Sequence, residues 1–452
     1  MLKARSNFIL GLGGVGMSAL AQFLIDRGEK VSGADRLIGS IPESDYPPAL
    51  IALRNQGVKI LADDGSGIDE TIDRIIVSTA IEETHPALKR AEELKIPVVH
   101  RAQALSQALK PNKVLAVAGT CGKSTVTAIL GHILEGAGFD PVVVNGAAIP
   151  GWDFDNTRVG SVRKPLNSSI DESQRWAIVE VDESDKSLTS FSPHAAIITN
   201  ASADHFGIEE TDALFDHFKS QVSGIVIDCR KESKYVEGLT LNAWSGSFTE
   251  DNITYTIPQP GEHNVHNARV AIKIASLLGA DSEKLKAALA TFPGVARRMQ
   301  KLTDEKSPVA VIDDYAHNTE KLHAMWTALQ AAFPKGVAVV WRPHGYAPLR
   351  KMINDLAEMF SRTIRPQDKL LLLPVYDAGG TATRDINSDI LIEKISNCNV
   401  ELTASIEDAR KRLIEISPSV EAIVTAGARD PQLPVLAKQI HNYLKQKEKN
   451  NV

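Results

Sequence analysis

The stretch Val114-Leu115-Ala116-Val117-Ala118-Gly119-Thr120-Cys121-Gly122-Lys123-Ser124-Thr125 decides the reading of this 452-residue chain. Val114 to Val117 reads as a buried strand, a glycine-punctuated loop follows, and Val126 to Gly136 continues as a helix. Backbone N–H groups of such a loop surround phosphate oxygens, Lys123 neutralises them, and the Ser124 hydroxyl, beside Thr125, can coordinate Mg²⁺. Only Thr120 and Cys121 separate Gly119 from Gly122, so the spacing departs from the four-residue form of the triphosphate loop. The strand, the two glycines, the lysine and the Ser-Thr pair still coincide, which points to ATP chemistry.

Upstream, Gly11, Gly13, Gly14 and Gly16 follow a strand, Phe8 to Leu10, and open a helix, Met17 to Arg27; Asp35 stands nineteen residues after Gly16 at the next strand end. This fits a fingerprint for a dinucleotide or nucleotide diphosphate, with the diphosphate on the helix N-terminus and the acid on a ribose hydroxyl. Downstream, the apolar run Ile178-Val179 leads into Glu180, then Asp182-Glu183-Ser184-Asp185, and the next strand, Ala195 to Thr199, leads to Asn200 and Asp204-His205. In an α/β domain ligands lie at strand carboxyl ends, so Glu180 and His205 are candidate Mg²⁺ ligands beside Ser124.

Short apolar strands alternate with helical patterns: Val31 to Gly33, Arg74 to Ser78 and Val98 to His100, then Val142 to Val144, Trp176 to Glu180 and Gly224 to Asp228. A probable strand at Ile253 to Ile257 precedes helices near Val265 to Leu278 and Ser282 to Ala290, and Phe292-Pro293-Gly294 reads as a linker. Strands at Val309 to Asp313, Val337 to Trp341, Lys369 to Leu373 and Ala422 to Thr425 form a third series. The expected fold is α/β in three domains: a Rossmann-like domain over 1–108, a central P-loop ATPase-like domain over 109–293, and a C-terminal Rossmann-like domain over 294–452. The lysine-rich end from Lys445 reads as a disordered, solvated tail.

A net charge of -6 argues against a nucleic-acid partner, and no run of 18 apolar residues suggests a membrane span. Cys121, Cys229 and Cys398 are odd in number and far apart, which favours a reducing compartment. The glycines interrupt the apolar stretch after Lys3 and Arg5 that could otherwise be a signal segment, so the expected location is the cytoplasm. A nicotinamide-dependent oxidoreductase built on Gly11 to Asp35 would leave Lys123, Glu180 and His205 without a task.

The chain resembles the Mur ligases, ATP-dependent amide ligases of peptidoglycan precursor synthesis. The matching residues are Gly119 to Thr125, Glu180 with Asp182 to Asp185, Asn200 with Asp204-His205, His263-Asn264-Val265-His266-Asn267-Ala268, Gly294-Val295-Ala296-Arg297-Arg298 and Asp313-Asp314-Tyr315-Ala316-His317. The resemblance implies UDP-N-acetylmuramate as one substrate and an amino acid or short peptide as acceptor, with ATP and Mg²⁺ and no obligate protein partner. Gly11, Gly13, Gly14, Gly16, Asp35, Ser78 and Arg101 would serve the UDP-sugar. Gly119, Thr120, Gly122, Lys123, Ser124 and Thr125 would hold the phosphates, and Asn264 and Asn267 would lie on the adenine side. Arg298 and Asp314 would also reach the nucleotide. Lys123, Glu180, His205 and His317 are the implied catalytic set, with Tyr315 and His317 approaching the acceptor amine and the muramoyl carboxylate. Cys121 replaces the family's usual histidine. Pro343-His344-Gly345-Tyr346-Ala347-Pro348-Leu349-Arg350 keeps one of three family arginines, leaving His344 and Arg350 to bind the acceptor. L-alanine, another amino acid and a ready-made tripeptide therefore all stand as acceptors.

Overall fold

The structure is a computed structural model that describes residues 4–43, 46–152, 156–159, 172–202, 206–233, 235–304, 307–377, 383–396 and 399–450. Asp204, His205 and Cys398 lie outside these residues. The fold is α/β, with three predominantly parallel sheets. The first has the spatial order Lys59–Leu61, Lys30–Ala34, Ser6–Leu10, Arg74–Val77, Val98–His100, all parallel. Its order reverses between Ser6–Leu10 and Arg74–Val77, and such a reversal opens a crevice at the strand carboxyl ends. The glycine cluster and Ser78 follow those two strands.

The second sheet runs Ile225–Asp228, Ala195–Ile198, Lys113–Ala118, Trp176–Glu180, Val142–Val144, Thr157–Val159, with only the last strand antiparallel. Lys113–Ala118 is flanked by Ala195–Ile198 and Trp176–Glu180, so its loop emerges between the other two chemistry-bearing strand ends. The third sheet runs Gln300–Lys301, Ala310–Asp314, Ala422–Ala426, Val337–Trp341, Lys369–Leu372, Val400–Leu402, with the two-residue edge antiparallel.

Two compact units result: 1–237 with 250–255 and 266–293, and 238–249 with 256–265 and 294–452. The first unit holds two sheets on one shared core, in which Leu20 and Phe23 of the helix Val15–Asp26 join Val142, Val144, Phe215 and Phe218. Burying each such side chain contributes roughly 1.5–3 kcal/mol, enough in sum to hold the two sheets as one body. In the second unit the inner sheet strands are apolar on both faces, as buried parallel strands must be, and helices cover each side.

One expectation is corrected. The C-terminal segment is helical over Gln432–Asn450, because Leu433, Leu436, Ala437, Ile440 and Leu444 fall on one buried stripe and the intervening Lys and Gln residues favour helix. The polar region before Ile253–Ile257 contains a hairpin, Thr240–Asn242 with Ser245–Glu250, whose exposed first strand gives no apolar signal. Among the described residues no helix is long and apolar enough to cross a membrane.

Candidate active site

The central loop is built by backbone conformation first. Gly119 has φ +130° and Gly122 φ +85°, values that L side chains rarely adopt. Gly122 caps the helix Lys123–Gly136 without a side chain, so its first-turn N–H groups have no side-chain acceptor and can meet an anion. Asn200 clamps the loop from the neighbouring strand end: its Oδ1 accepts Cys121 N–H at 2.9 Å and its Nδ2 donates to Cys121 O at 2.9 Å. Thr199 Oγ1 donates to the same carbonyl at 2.6 Å. Thr120 Oγ1 accepts Ser202 N–H, and Thr120, Ser124 and Thr125 are buried. Asn267 lies against Gly122, where a Cβ would meet its Oδ1 at 2.7 Å.

Lys123 is held at the centre of the acidic cluster. Its Nζ donates to Gly119 O at 2.7 Å and to Glu183 Oε2 at 2.7 Å, with Asp182 Oδ1 at 3.9 Å. Burial works against the charge, but Glu183, Asp182 and Glu180 together hold the ammonium above the usual lysine range. Burial, joined by the nearby Asp182 charge, pushes the Glu183 carboxyl up against the pull of Lys123. Burial and the bond to Lys123 distinguish Glu183 from its acidic neighbours, and neither is visible in the order of residues.

Glu180 Oε2 accepts Gly146 N–H at 2.9 Å, and a Cβ at Gly146 would sit 2.5 Å from that oxygen. A cavity of about 320 Å³ opens here, lined by Gly14, Gly16, Ser78 and Arg101 from the first sheet's side and Asn145, Glu180 and Asp182 from the second's. Its lining lies within one unit and reaches the phosphate loop through Asp182, whose Oδ1 is 3.9 Å from Lys123 Nζ. Among the described residues Asn145 Oδ1 is buried and meets no hydrogen-bond donor, so a ligand donor would satisfy it; Asn145 lies outside every motif of the sequence. The Arg101 guanidinium covers Gly16, where a Cβ would meet Nη1 at 3.0 Å, and its Nη2 lies 3.9 Å from Asp185 Oδ2.

Asp35 braces the first loop. Its Oδ2 accepts Gly13 N–H at 2.7 Å and its Oδ1 accepts Leu37 N–H at 3.0 Å, so the carboxylate is committed to shaping the first loop. Gly11 takes the left-handed φ of +69° that starts this turn, and Gly14 N–H returns to its carbonyl. Gly13→Val would place a Cβ 2.9 Å from Asp35 Oδ2 and 3.0 Å from Leu50 Cδ1. We expect this variant to raise the KM for the UDP-sugar on the order of 10-fold or more while leaving that for ATP nearly unchanged, read by steady-state kinetics.

In the second unit, Tyr315, His317 and His344 form an aromatic row, with ring centroids 5.5 Å and then 4.8 Å apart. Burial, with Lys321 and His344 nearby, drives the His317 imidazole down to about 3. His317 is thus neutral near pH 7 and suited to hydrogen bonding, not to taking the acceptor's proton. Asp314 is likewise committed: its Oδ2 accepts Met299 N–H at 2.6 Å and its Oδ1 accepts Ala316 N–H at 2.7 Å. Asn264 turns its Nδ2 to Pro260 O at 2.8 Å. Arg350, expected to be open for a carboxylate, instead donates to Thr383 O and to Asp385.

Asp313 offers a pH test. Burial raises its carboxyl to about 6 despite Arg297. A carboxyl raised in the folded state binds more protons there than when unfolded, so its contribution to stability is present below the unfolded value near 4 and lost by about pH 6. Asp313→Asn should therefore gain on the wild type by up to roughly 3 kcal/mol between pH 4 and pH 7, measured by urea unfolding at both pH values.

A parallel sheet with this loop at the end of an inner strand, a buried lysine and converging carboxylates defines a nucleotide-phosphate-binding α/β protein. Family models match along the chain: the Mur ligase family catalytic domain over residues 8–113, the Mur ligase middle domain over 117–219, and the Mur ligase glutamate ligase domain over 297–429. The UDP-N-acetylmuramate–L-alanine ligase of Hyphomonas neptunium is 31% identical over 434 residues, 86% of each chain. That of Sinorhizobium fredii is 30% identical over 427 residues, 85% of this chain and 86% of the relative. Among solved structures, the UDP-N-acetylmuramate-alanine ligase of Thermotoga maritima aligns with a TM-score of 0.79 at 22% identity, covering 98% of this chain and 99% of that one. A murein peptide ligase from Psychrobacter arcticus aligns at 0.67 and 20%, with the same coverage. The chain belongs to the Mur ligase family.

Proposed function

We propose that this protein is an ATP-dependent, ADP-forming ligase that joins UDP-N-acetylmuramate to L-alanine, acting in the cytoplasm on peptidoglycan precursors. The observation that carries the reading is the cavity shared by the first glycine loop, Arg101 and Glu180. It places the first helix end beside the acidic strand end that pairs with Lys123 of the ATP-type loop, and the named relatives are ligases of this substrate pair. Residues 1–108 would bind the UDP-sugar, 109–293 ATP, and 294–452 the acceptor together with the nucleotide.

The chemistry follows from the substrates. A carboxylate is a poor electrophile, so the γ-phosphoryl is transferred to the muramoyl carboxylate; the acceptor amine then attacks this acyl phosphate and phosphate leaves. Lys123, once released from Glu183 by phosphate oxygens, offsets charge in both steps. The Ser124 hydroxyl and Glu180 carboxylate are hard oxygen donors that suit Mg²⁺, an ion that takes few protein ligands and keeps phosphate and water for the rest. His205, outside the described residues, is the further ligand expected from sequence. Bound Mg²⁺ would supply charge neutralisation on the phosphates.

The Arg350–Asp385 pair favours a second acceptor reading. An arginine already engaged by a carboxylate holds an amino acid's carboxylate less well, so a longer acceptor gains weight. Mass spectrometry of products from UDP-N-acetylmuramate, ATP and a panel of amino acids plus the muramyl tripeptide tests this. L-alanine addition supports the first reading, and tripeptide addition alone replaces it. Arg350→Lys keeps the charge but loses the fork, and is expected to raise the acceptor KM several-fold without changing that for ATP.

A further inference from the structure

The turn after Pro293 contains three left-handed residues within six positions: Gly294 at φ +83°, Arg297 at φ +58° and Met299 at φ +47°. Two of these carry a Cβ, and such strain persists only where surrounding contacts over-determine the backbone. Arg297 supplies most of those contacts. Its Nε donates to Asp313 Oδ2 at 3.1 Å, Nη1 to Ala428 O at 2.9 Å and Nη2 to Gly427 O at 2.5 Å. Its own N–H donates to Gln300 Oε1 at 3.0 Å. Met299 N–H, one residue beyond Arg298, is fixed on Asp314 Oδ2 at 2.6 Å.

Arg298 is in the opposite situation. Among the described residues its guanidinium makes no hydrogen bond, and it stands over the Tyr315 ring with its central carbon 4.9 Å from the centroid. Arg297 stands over the same ring at 5.0 Å. The two neighbours are the same residue type with their donors used differently: one fork is consumed by hydrogen bonds, while the other makes none among the described residues and acts on Asp314 through its charge.

We propose that Arg297 is a positioning residue, which locks the strained turn so that Arg298 is presented to the nucleotide with a fixed orientation. This rests on the ATP-ligase reading above. Two backbone carbonyls and a buried carboxylate at one guanidinium require its planar fork, which a lysine ammonium cannot reproduce. Removing Arg297 would also leave Asp313 buried without its counter-charge.

The test compares Arg297→Gln, Arg297→Lys, Arg297→Gln/Asp313→Asn and Arg298→Lys in the full-length protein. Amide exchange at Met299 and Ala316 is read alongside kcat and KM for ATP. Both Arg297 single variants should speed exchange at Met299 and lower kcat on the order of 10-fold or more through misplacement, with a smaller change in KM. Adding Asp313→Asn to Arg297→Gln should recover part of the kcat by removing the unpaired charge. Arg298→Lys should raise the KM for ATP and leave Met299 exchange as in the wild type. If Arg297→Gln unfolds, Arg297→Lys carries the same comparison. Unchanged Met299 exchange in Arg297→Lys, with a raised KM for ATP, would overturn the proposal and make Arg297 a ligand contact. A protein that turns over no ATP in any form fails the ligase reading instead, and the exchange measurements still report on the turn.

Discussion

Lys123→Ala is expected to lower ATP-dependent turnover by at least 10²- to 10³-fold, the order of loss seen when one preorganised charge-stabilising donor is removed. Lys123 is the ammonium at the phosphate loop, and it would serve both phosphoryl transfer and departure of phosphate from the acyl intermediate. Its removal also has a structural cost. Glu183 is buried with its Oε2 2.7 Å from the ammonium, and deleting one member of a buried pair typically costs about 3–5 kcal/mol. Lys123→Ala should therefore melt below the wild type, and Lys123→Ala/Glu183→Gln should recover melting temperature but not turnover. Near-normal turnover in either folded variant would remove the loop from the chemistry.

Gly119→Ala should be nearly as damaging. A Cβ there would lie 2.0 Å from Thr199 Oγ1, 3.0 Å from Thr199 N and 3.1 Å from Asn200 N, on a backbone at φ +130°. The loop cannot shift without breaking the Thr199 and Asn200 hydrogen bonds to Cys121. Misplacing phosphate-binding amides by about 1 Å is expected to lower kcat/KM for ATP on the order of 10²-fold. Gly122→Ala should cost less, because beyond the strain at φ +85° its Cβ meets only the end of the Asn267 side chain and no backbone atom. Equal, small effects at the two glycines would show that the loop is not the phosphate cradle.

These two glycines illustrate what was legible in the sequence. A strand followed by Gly119, Gly122 and Lys123 declares a turn, a cradle and a charge, because each needs its particular residue type. The inner strands were equally readable, since a parallel strand buried on both faces is apolar throughout, as Val337–Trp341 is. Commitments between distant side chains were not readable. Asp35 and Asp314 stand where ligand-binding acids would stand, and each also accepts two backbone N–H groups, one from its own loop and one from a distant segment. Nothing in the order of residues separates Glu183 from Asp182, or Arg297 from Arg298, until burial and partners are known. The helical end beyond Lys445 was missed because its charge composition matches a tail, while its continuity depends on the apolar stripe that begins at Leu433.

The reaction at stake is ATP-driven ligation at the cavity lined by the first glycine loop, Glu180 and Asp182. It is tested most directly by phosphate release from ATP with Mg²⁺, measured with UDP-N-acetylmuramate and L-alanine each present or omitted. The expected result is ADP and phosphate in equal amounts with the amide product, formed only when all three substrates are present. Phosphate release that persists without UDP-N-acetylmuramate, or none with that sugar nucleotide and any amino acid or peptide acceptor, would contradict it.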